Sequence, residues 1–282
     1  MSVAALELGG SHVSAARVDV VSERVTDRRS VPLHPLGSRA ELLAGIVGAA
    51  RSVADGATRV GVAVPGPFDY DRGVCTIHGV GKLEALFGVD LRSELSRVFA
   101  AADAASIRFL NDAEAFLLGE AAAGAAQGRA RAMGITLGTG LGSAFLVDGQ
   151  IVRSGPGVPP DGELHRVPFR AGPVEDVLSG RGLRMRFGGG VDPDRIASLA
   201  DGGDPHAAAA FASVGADLGA FLSPTAREFG AQCVVVGGAI ARAWRHFGAP
   251  LAEAVTADVA PAARLDDAAL LGAALHAVAP HA

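Results

Sequence analysis

The sequence predicts an α/β chain built from two copies of one unit that face each other across a cleft. Three observations carry this expectation. A strand, a glycine-rich hairpin and a returning strand occur near residue 9 and again near residue 140. Short apolar runs of strand length alternate with segments of helical spacing. No flexible tether separates the halves, so helices are expected to join them.

The elements follow in order. Residues 3–8 are apolar except for Glu7 and stop at Gly9-Gly10, and residues 13–20 resume in near alternation, as a half-buried strand does. A third strand is expected within 24–31, a helix over 39–54 through Leu42, Leu43, Ile46, Val47 and Ala50, and a short strand over 60–64 that ends at Pro65-Gly66-Pro67. Residues 91–101 read as a helix, 107–110 as a strand, and 113–126 as a helix. Residues 132–137 form the next strand, which turns at Gly138-Thr139-Gly140-Leu141-Gly142 and returns over 143–147 to an Asp148-Gly149 hairpin turn. Residues 155–172 are rich in Gly and Pro and have no clear period, and a loop of that length inside a compact domain is often functional. The remainder reads as helical, apart from an apolar strand at 233–236 that stops at Gly237-Gly238, and closes on a helix over 267–278.

Composition narrows the function. Of 282 residues, 49% are apolar, enough for a buried core in each of two units. The formal charge of -5 argues against a phosphate-backbone binder, which needs a basic face. The short run Arg181, Arg184 and Arg186 reads as a solvated helix face. Cys75 and Cys233 are the only cysteines, so neither a four-cysteine zinc site nor a disulfide framework is expected, and a reduced, cytoplasmic setting fits. The N-terminus does not read as a signal peptide, and no Ala-rich run reads as a membrane span.

Five segments carry chemistry. In Glu7-Leu8-Gly9-Gly10-Ser11-His12, bare glycine backbone can approach phosphate oxygens, Ser11 can add a hydroxyl donor, and Glu7 can hold a Mg²⁺-bound water; an ordinary β-turn would look the same. Gly138 to Ser143 repeats the pattern, with Thr139 as the hydroxyl. It lacks the Gly-Lys-Ser/Thr of a Walker loop, and a strand follows where a dinucleotide fingerprint needs a helix. Asn111-Asp112 lies between a strand end and a helix start, which suits either a helix cap or a carboxylate that accepts a proton from an alcohol. Asp161-Gly162-Glu163-Leu164-His165, with Glu175 beyond it, gathers groups that match sugar hydroxyls, as solvated loop carboxylates also would. Gly237-Gly238 after an apolar strand can admit an adenine or a ribose, or simply make a tight turn. Lys82 and His78 could line an acceptor pocket or a solvated loop. The spacing of His12, His78 and His165 matches no zinc pattern.

As a set and in this order, these segments resemble the ROK family of bacterial sugar kinases and related repressors, over nearly the whole chain. The resemblance rests on Glu7 to Ser11, Val64-Pro65-Gly66-Pro67, Asn111-Asp112-Ala113, Gly138 to Ser143, Gly237-Gly238 and Leu270-Leu271-Gly272-Ala273-Ala274. It implies an actin-like ATPase (ribonuclease H-like) fold, with two α/β domains around a cleft, each on a five-stranded mixed sheet. Their expected bounds are 1–112 with 267–282, and 113–266. It implies ATP and Mg²⁺ as cofactors. Asp112 would be the general base; Asn111, Glu163, His165, Glu175 and Gly66 would hold the acceptor. Gly9, Gly10, Ser11, Gly138, Thr139 and Gly140 would contact ATP phosphates, Gly237 and Gly238 would border the nucleoside, and Glu7 would hold Mg²⁺ through water. A small-molecule sugar partner, a homodimer, and neither nucleic acid nor membrane are implied.

The chain departs from the family pattern in three places. Glu7 stands where the family usually has Asp, and a misplacement of about 1 Å can cost about 100-fold in rate. Gly162-Glu163-Leu164-His165 is one residue shorter than the family's Gly-Glu-x-Gly-His segment. The cysteine-rich zinc motif before Glu175 is absent, so no zinc is expected and the loop must be held by packing or a partner subunit. The segment 79–91 lacks the Trp common in glucokinases, which leaves a cyclitol of the valiolone type beside a hexose or N-acetylated amino sugar as acceptor. A non-catalytic sugar or nucleotide sensor on the same fold is the rival reading.

Overall fold

The computed structural model describes residues 1–170 and 172–280. The chain divides into two units: residues 1–122 together with the stretch from Asp266 onward, and residues 123–265.

The first unit opens with β1 (Ser2–Leu8), β2 (His12–Asp19) and β3 (Arg24–Pro32), joined antiparallel. Helix α1 (Arg39–Arg51) starts at Ser38 in a capping box, in which the Ser38 hydroxyl accepts from Glu41 N–H and the Glu41 carboxylate accepts from Ser38 N–H at 2.8 Å. β4 (Val60–Val64) runs parallel to β1, and all five of its residues are buried, as expected of a strand covered on both faces. β5 (Phe68–Asp69) and β6 (Val74–Cys75) form a two-stranded ribbon. Helix α2 (Leu91–Ser96) is shorter than the expected 91–101: past Ser96 the chain continues in turns that bury Phe99 completely. β7 (Ile107–Asn111) pairs parallel with β4 and passes directly into α3 (Asp112–Ala123). The sheet order is β3-β2-β1-β4-β7.

The second unit repeats this plan. β8 (Arg131–Leu137), β9 (Leu141–Val147) and β10 (Gln150–Ile151) are antiparallel neighbours. Asp148 and Gly149, at φ 48° and 79°, make the tight turn that their sequence predicts. β11 (Pro168–Phe169) and β12 (Gly172–Pro173) make a short ribbon, followed by α4 (Val174–Val177), α5 (Gly180–Phe187), α6 (Pro193–Asp201) and α7 (Pro205–Phe229). β13 (Cys233–Gly237) is wholly buried and parallel to β8; after α8 (Trp244–Ala254), β14 (Asp258–Pro261) adds a parallel edge. The order β10-β9-β8-β13-β14 matches that of the first sheet strand for strand, so the internal echo in the sequence is a repeat of topology. β14 was expected to be helical. It is four residues long, only partly buried, and ends in Pro, which an edge strand tolerates.

One expectation about α5 needs correction. Arg186 does not belong to a solvated face: its side chain is 17% exposed, donates to the Val177 carbonyl and pairs with Asp217, which also pairs with Arg170. α7, at 25 residues, is long and apolar enough to cross a membrane, yet 56% of its most apolar window is buried inside the unit, where Phe211, Val214, Leu218 and Leu222 form core. The Arg170–Asp217–Arg186 cluster and the edge-on contact of Phe169 with Phe221 tie the end of the loop 155–173 to α5 and α7.

The last helix, α9 (Ala268–Val278), belongs to the first unit and packs on β4 and α3 through glycine. A Cβ on Gly272 would lie 1.8 Å from the Ala115 carbonyl oxygen. One on Gly119 would lie 2.0 Å from that of Ala268, and one on Gly61 2.0 Å from that of Ala273. Backbone meets backbone at all three positions.

Candidate active site

Strands β1, β4 and β7 are parallel, with Glu7 beside Ala63 and Val64 beside Asn111, so the carboxyl ends of all three share one edge of the first sheet. In open α/β sheets that edge is where ligands bind. It gathers the β1–β2 hairpin, Pro65-Gly66 after β4, and Asn111-Asp112 at the β7–α3 junction.

Asn111 caps α3: its Oδ1 accepts from Ala113 N–H at 2.9 Å and Glu114 N–H at 3.4 Å. Its Nδ2 donates to the Tyr70 hydroxyl at 3.1 Å, and that hydroxyl donates to the Val64 carbonyl at 3.2 Å. Tyr70, the chain's only tyrosine, was not anticipated. A Cβ on Gly66 would stand 3.5 Å from its hydroxyl and 3.9 Å from Asn111 Nδ2, so Gly66 and Asn111 border the same spot.

Asp112 follows with its Oδ1 on Ala113 N–H at 2.9 Å. Burial raises the proton affinity of its carboxyl above the usual carboxylate range, and Lys82 and backbone N–H groups pull it partly back. Glu7 is pushed up to about 7, first by burial and then by Asp112, with Asp266 and Asp267 adding to the effect and Arg28 opposing it. The edge thus holds a surplus of acid.

This raised value gives stability a pH dependence. Native Glu7 keeps a proton up to about 7, while the unfolded chain loses it near 4.5. The native state therefore binds more protons in that window, and stability falls as pH rises through it. Relative to Glu7→Gln, which cannot titrate, the wild type should lose about 2–3 kcal/mol between pH 4.5 and pH 8 without added divalent cation. Urea unfolding of both proteins at the two pH values measures this, and parallel stabilities would contradict it.

Among the described residues, no group of three or more His, Cys, Asp or Glu side chains could hold a metal ion. Mg²⁺ does not require such a group, because it commonly binds one or two carboxylates and keeps its waters and substrate phosphates. Glu7 fits that role: three neighbouring acids raise its proton affinity, and a cation would relieve the same repulsion.

In the second unit, the β8–β9 hairpin closes through Gly138 N–H to the Gly140 carbonyl at 3.0 Å, and the Gly138 carbonyl accepts from Gly180 N–H at 2.9 Å. Gly237 lies beside Thr136, and a Cβ on Gly238 would fall 2.4 Å from the Leu137 carbonyl oxygen, so the second glycine motif abuts the hairpin that carries Thr139 and Gly140. Gly238, at φ 85°, is held to glycine by conformation and by space.

Glu163 and His165 lie together, with His165 Nε2 3.8 Å from Glu163 Oε2. Arg166 Nε approaches the same oxygen to 2.5 Å, yet in a direction that makes no hydrogen bond, so among the described residues this buried oxygen has no hydrogen-bond partner. Glu175 turns onto the β8–β9 hairpin: its Oε1 accepts from Leu141 N–H at 2.8 Å and covers Gly140, where a Cβ would lie 2.2 Å from it. Ser143 Oγ donates to the Gly162 carbonyl at 2.6 Å and accepts from Leu164 N–H at 2.9 Å, which binds the short Glu163 loop to β9.

The ROK family model matches residues 3–279. This chain belongs to the ROK family. The glucokinase of Thermotoga maritima is 26% identical to this ROK chain, with 95% of each covered. The N-acetyl-D-glucosamine kinase of Vibrio cholerae is also 26% identical, but the match spans 64% of each protein. Among solved structures, a ROK family glucokinase from Streptomyces griseus, crystallised with glucose and AMPPNP, superposes with a TM-score of 0.81 at 23% identity, covering 98% of this chain and 99% of that one. The two units are those of the actin-like ATPase fold.

Proposed function

We propose that this protein is an ATP-dependent kinase of a sugar hydroxyl, with Asp112 as general base. The observation that carries the reading is the position of Asp112. It is a recessed carboxyl of raised proton affinity at the carboxyl edge of the first sheet, beside a glycine hairpin and the Gly66–Asn111–Tyr70 group, in a ROK chain. A base works best when its proton affinity approaches the operating pH, and burial moves Asp112 in that direction.

In this mechanism Asn111, held by Tyr70, and Gly66 position the acceptor. Asp112 takes the proton of the attacking hydroxyl as its oxygen bonds to the γ-phosphorus and ADP leaves. Mg²⁺, when bound with ATP near Glu7, would neutralise phosphate charge. Ser11 and Gly10 face the phosphoryl group, while Gly9 N–H is already spent on the His12 carbonyl at 2.8 Å. In the second unit, Gly138, Thr139 and Gly140 are assigned to phosphate and Gly237-Gly238 to the nucleoside. Glu163 Oε2, ion-paired with Arg166 but without a hydrogen bond among the described residues, is assigned as an acceptor for a substrate hydroxyl, with His165 beside it; Glu175 braces the hairpin.

Glucokinase and N-acetylglucosamine kinase relatives favour a hexose or N-acetylated amino sugar. The loop 79–91 supports a cyclitol as the second reading: it lacks the tryptophan common in glucokinases, and the chain's one tryptophan, Trp244, lies in α8 of the other unit. ADP release from Mg²⁺-ATP across hexoses, N-acetylated amino sugars and cyclitols tests the proposal. Acceptor-dependent release is expected. ATP or sugar binding without release under any acceptor would mark a sensor instead.

A further inference from the structure

We propose that Lys82 is a phosphate-contacting residue of this site, its ammonium joining the Gly10 and Ser11 N–H groups and the Ser11 hydroxyl around the phosphoryl group being transferred. This rests on the kinase reading above.

The position comes first. A Cβ built on Gly10 would stand 3.5 Å from Lys82 Cδ and 3.7 Å from its Nζ, so the ammonium lies over the tip of the β1–β2 hairpin, 72 residues away in sequence. That tip has open donors. Gly9 N–H bonds the His12 carbonyl and the Ser11 carbonyl accepts from Leu33 N–H, while the N–H groups of Gly10 and Ser11 and the Ser11 hydroxyl donate to no described residue. Successive free N–H groups at a turn make an anion-binding concavity.

The loop is built to hold Lys82 there. On one side, Gly81 N–H donates to Glu84 Oε1 at 2.7 Å. On the other, Leu83 is fully buried, donates its N–H to the Pro35 carbonyl at 2.7 Å, and keeps φ 57°, a left-handed conformation unusual for a leucine. Such a conformation persists only where the surroundings over-determine it, and it tends to mark functional sites.

The Lys82 charge is felt by Asp112, whose proton affinity it lowers, but no bonded partner holds it. Among the described residues Lys82 makes no hydrogen bond or ion pair. The other cation near this edge, Arg28, already lies 3.9 Å from Asp266. Glu7, Asp112, Asp266 and Asp267 leave the edge acidic, which would repel a polyphosphate arriving at the hairpin. A free ammonium at that hairpin offsets the repulsion and meets the charge that spreads over the non-bridging oxygens as the bond from γ-phosphorus to the bridging oxygen breaks and the bond to the acceptor oxygen forms. The proton goes to Asp112, and Lys82 keeps its own throughout.

The test compares wild type, Lys82→Met and Lys82→Arg in the full chain with the acceptor found by the ADP-release panel. Lys82→Met should lower kcat by about 100-fold or more, leave acceptor KM within about two-fold, and be partly rescued in Lys82→Arg, which keeps the charge. Unchanged kcat would overturn the proposal, and so would an effect confined to acceptor KM, which would make Lys82 an acceptor residue. Should wild type turn over no acceptor, the kinase reading fails separately, and Lys82 is then read by calorimetry. Lys82→Met should weaken ATP binding about 10-fold more than ADP binding, and equal losses would overturn the assignment.

Discussion

Replacing Asp112 by Asn should lower kcat by about 10³-fold while leaving the protein folded. Asn has nearly the same shape, and its Oδ1 can still accept from Ala113 N–H at the start of α3. It cannot take up a proton, so the attacking hydroxyl would have to ionise unaided. The substitution also removes the charge that, after burial, does most to raise the proton affinity of Glu7. The first unit should therefore be no less stable at pH 8 than in the wild type. Two measurements separate the effects: kcat from acceptor-dependent ADP release, and the urea midpoint. A kcat within ten-fold of wild type would remove Asp112 from the role of base.

The largest effect on stability should come from Gly272→Ala, a loss of about 3 kcal/mol or more. The added methyl would meet the Ala115 carbonyl oxygen at 1.8 Å, and neither partner is a flexible side chain that could swing aside. α9 would have to lift from α3, which opens contacts at Gly61 and Gly119 as well. Gly48→Ala is the control. Gly48 is exposed in the interior of α1 with nothing within 4 Å of an added Cβ, so alanine there should add about 0.5–1 kcal/mol through helix propensity. Urea unfolding of both variants should show opposite signs. Equal, small effects would mean that α9 is not docked through these glycines.

The pattern of what the sequence revealed follows from physics. Central strands such as β4 and β13 are buried on both faces and are written as unbroken apolar runs, so they were found almost to the residue. The Asp148-Gly149 turn announces itself because few other residues accept its left-handed backbone geometry. β14 was missed because a short, half-exposed edge strand needs no apolar run. Arg186 looked like one of three surface arginines, since the acid that buries it, Asp217, comes from another helix. At the candidate site, local sequence showed Asn111-Asp112 and the hairpin. It did not show that Tyr70 would hold Asn111, that Glu175 would turn onto Leu141, or that Lys82 would reach Gly10. Those contacts join residues tens of positions apart, and only the fold supplies them. The loop without the cysteine-rich motif was expected to need another anchor, and the Arg170–Asp217–Arg186 cluster with the Ser143 hydrogen bonds provides one.

The central claim is that a phosphoryl group passes from ATP to a sugar-like hydroxyl under the action of Asp112. Mass spectrometry of the acceptors themselves tests it most directly, after incubation of each panel member with Mg²⁺-ATP and either wild type or Asp112→Asn. The account predicts that at least one acceptor gains a single phosphoryl group with wild type, and that almost none does with the variant. ATP consumed with no acceptor modified, or an acceptor modified equally by both proteins, would contradict it.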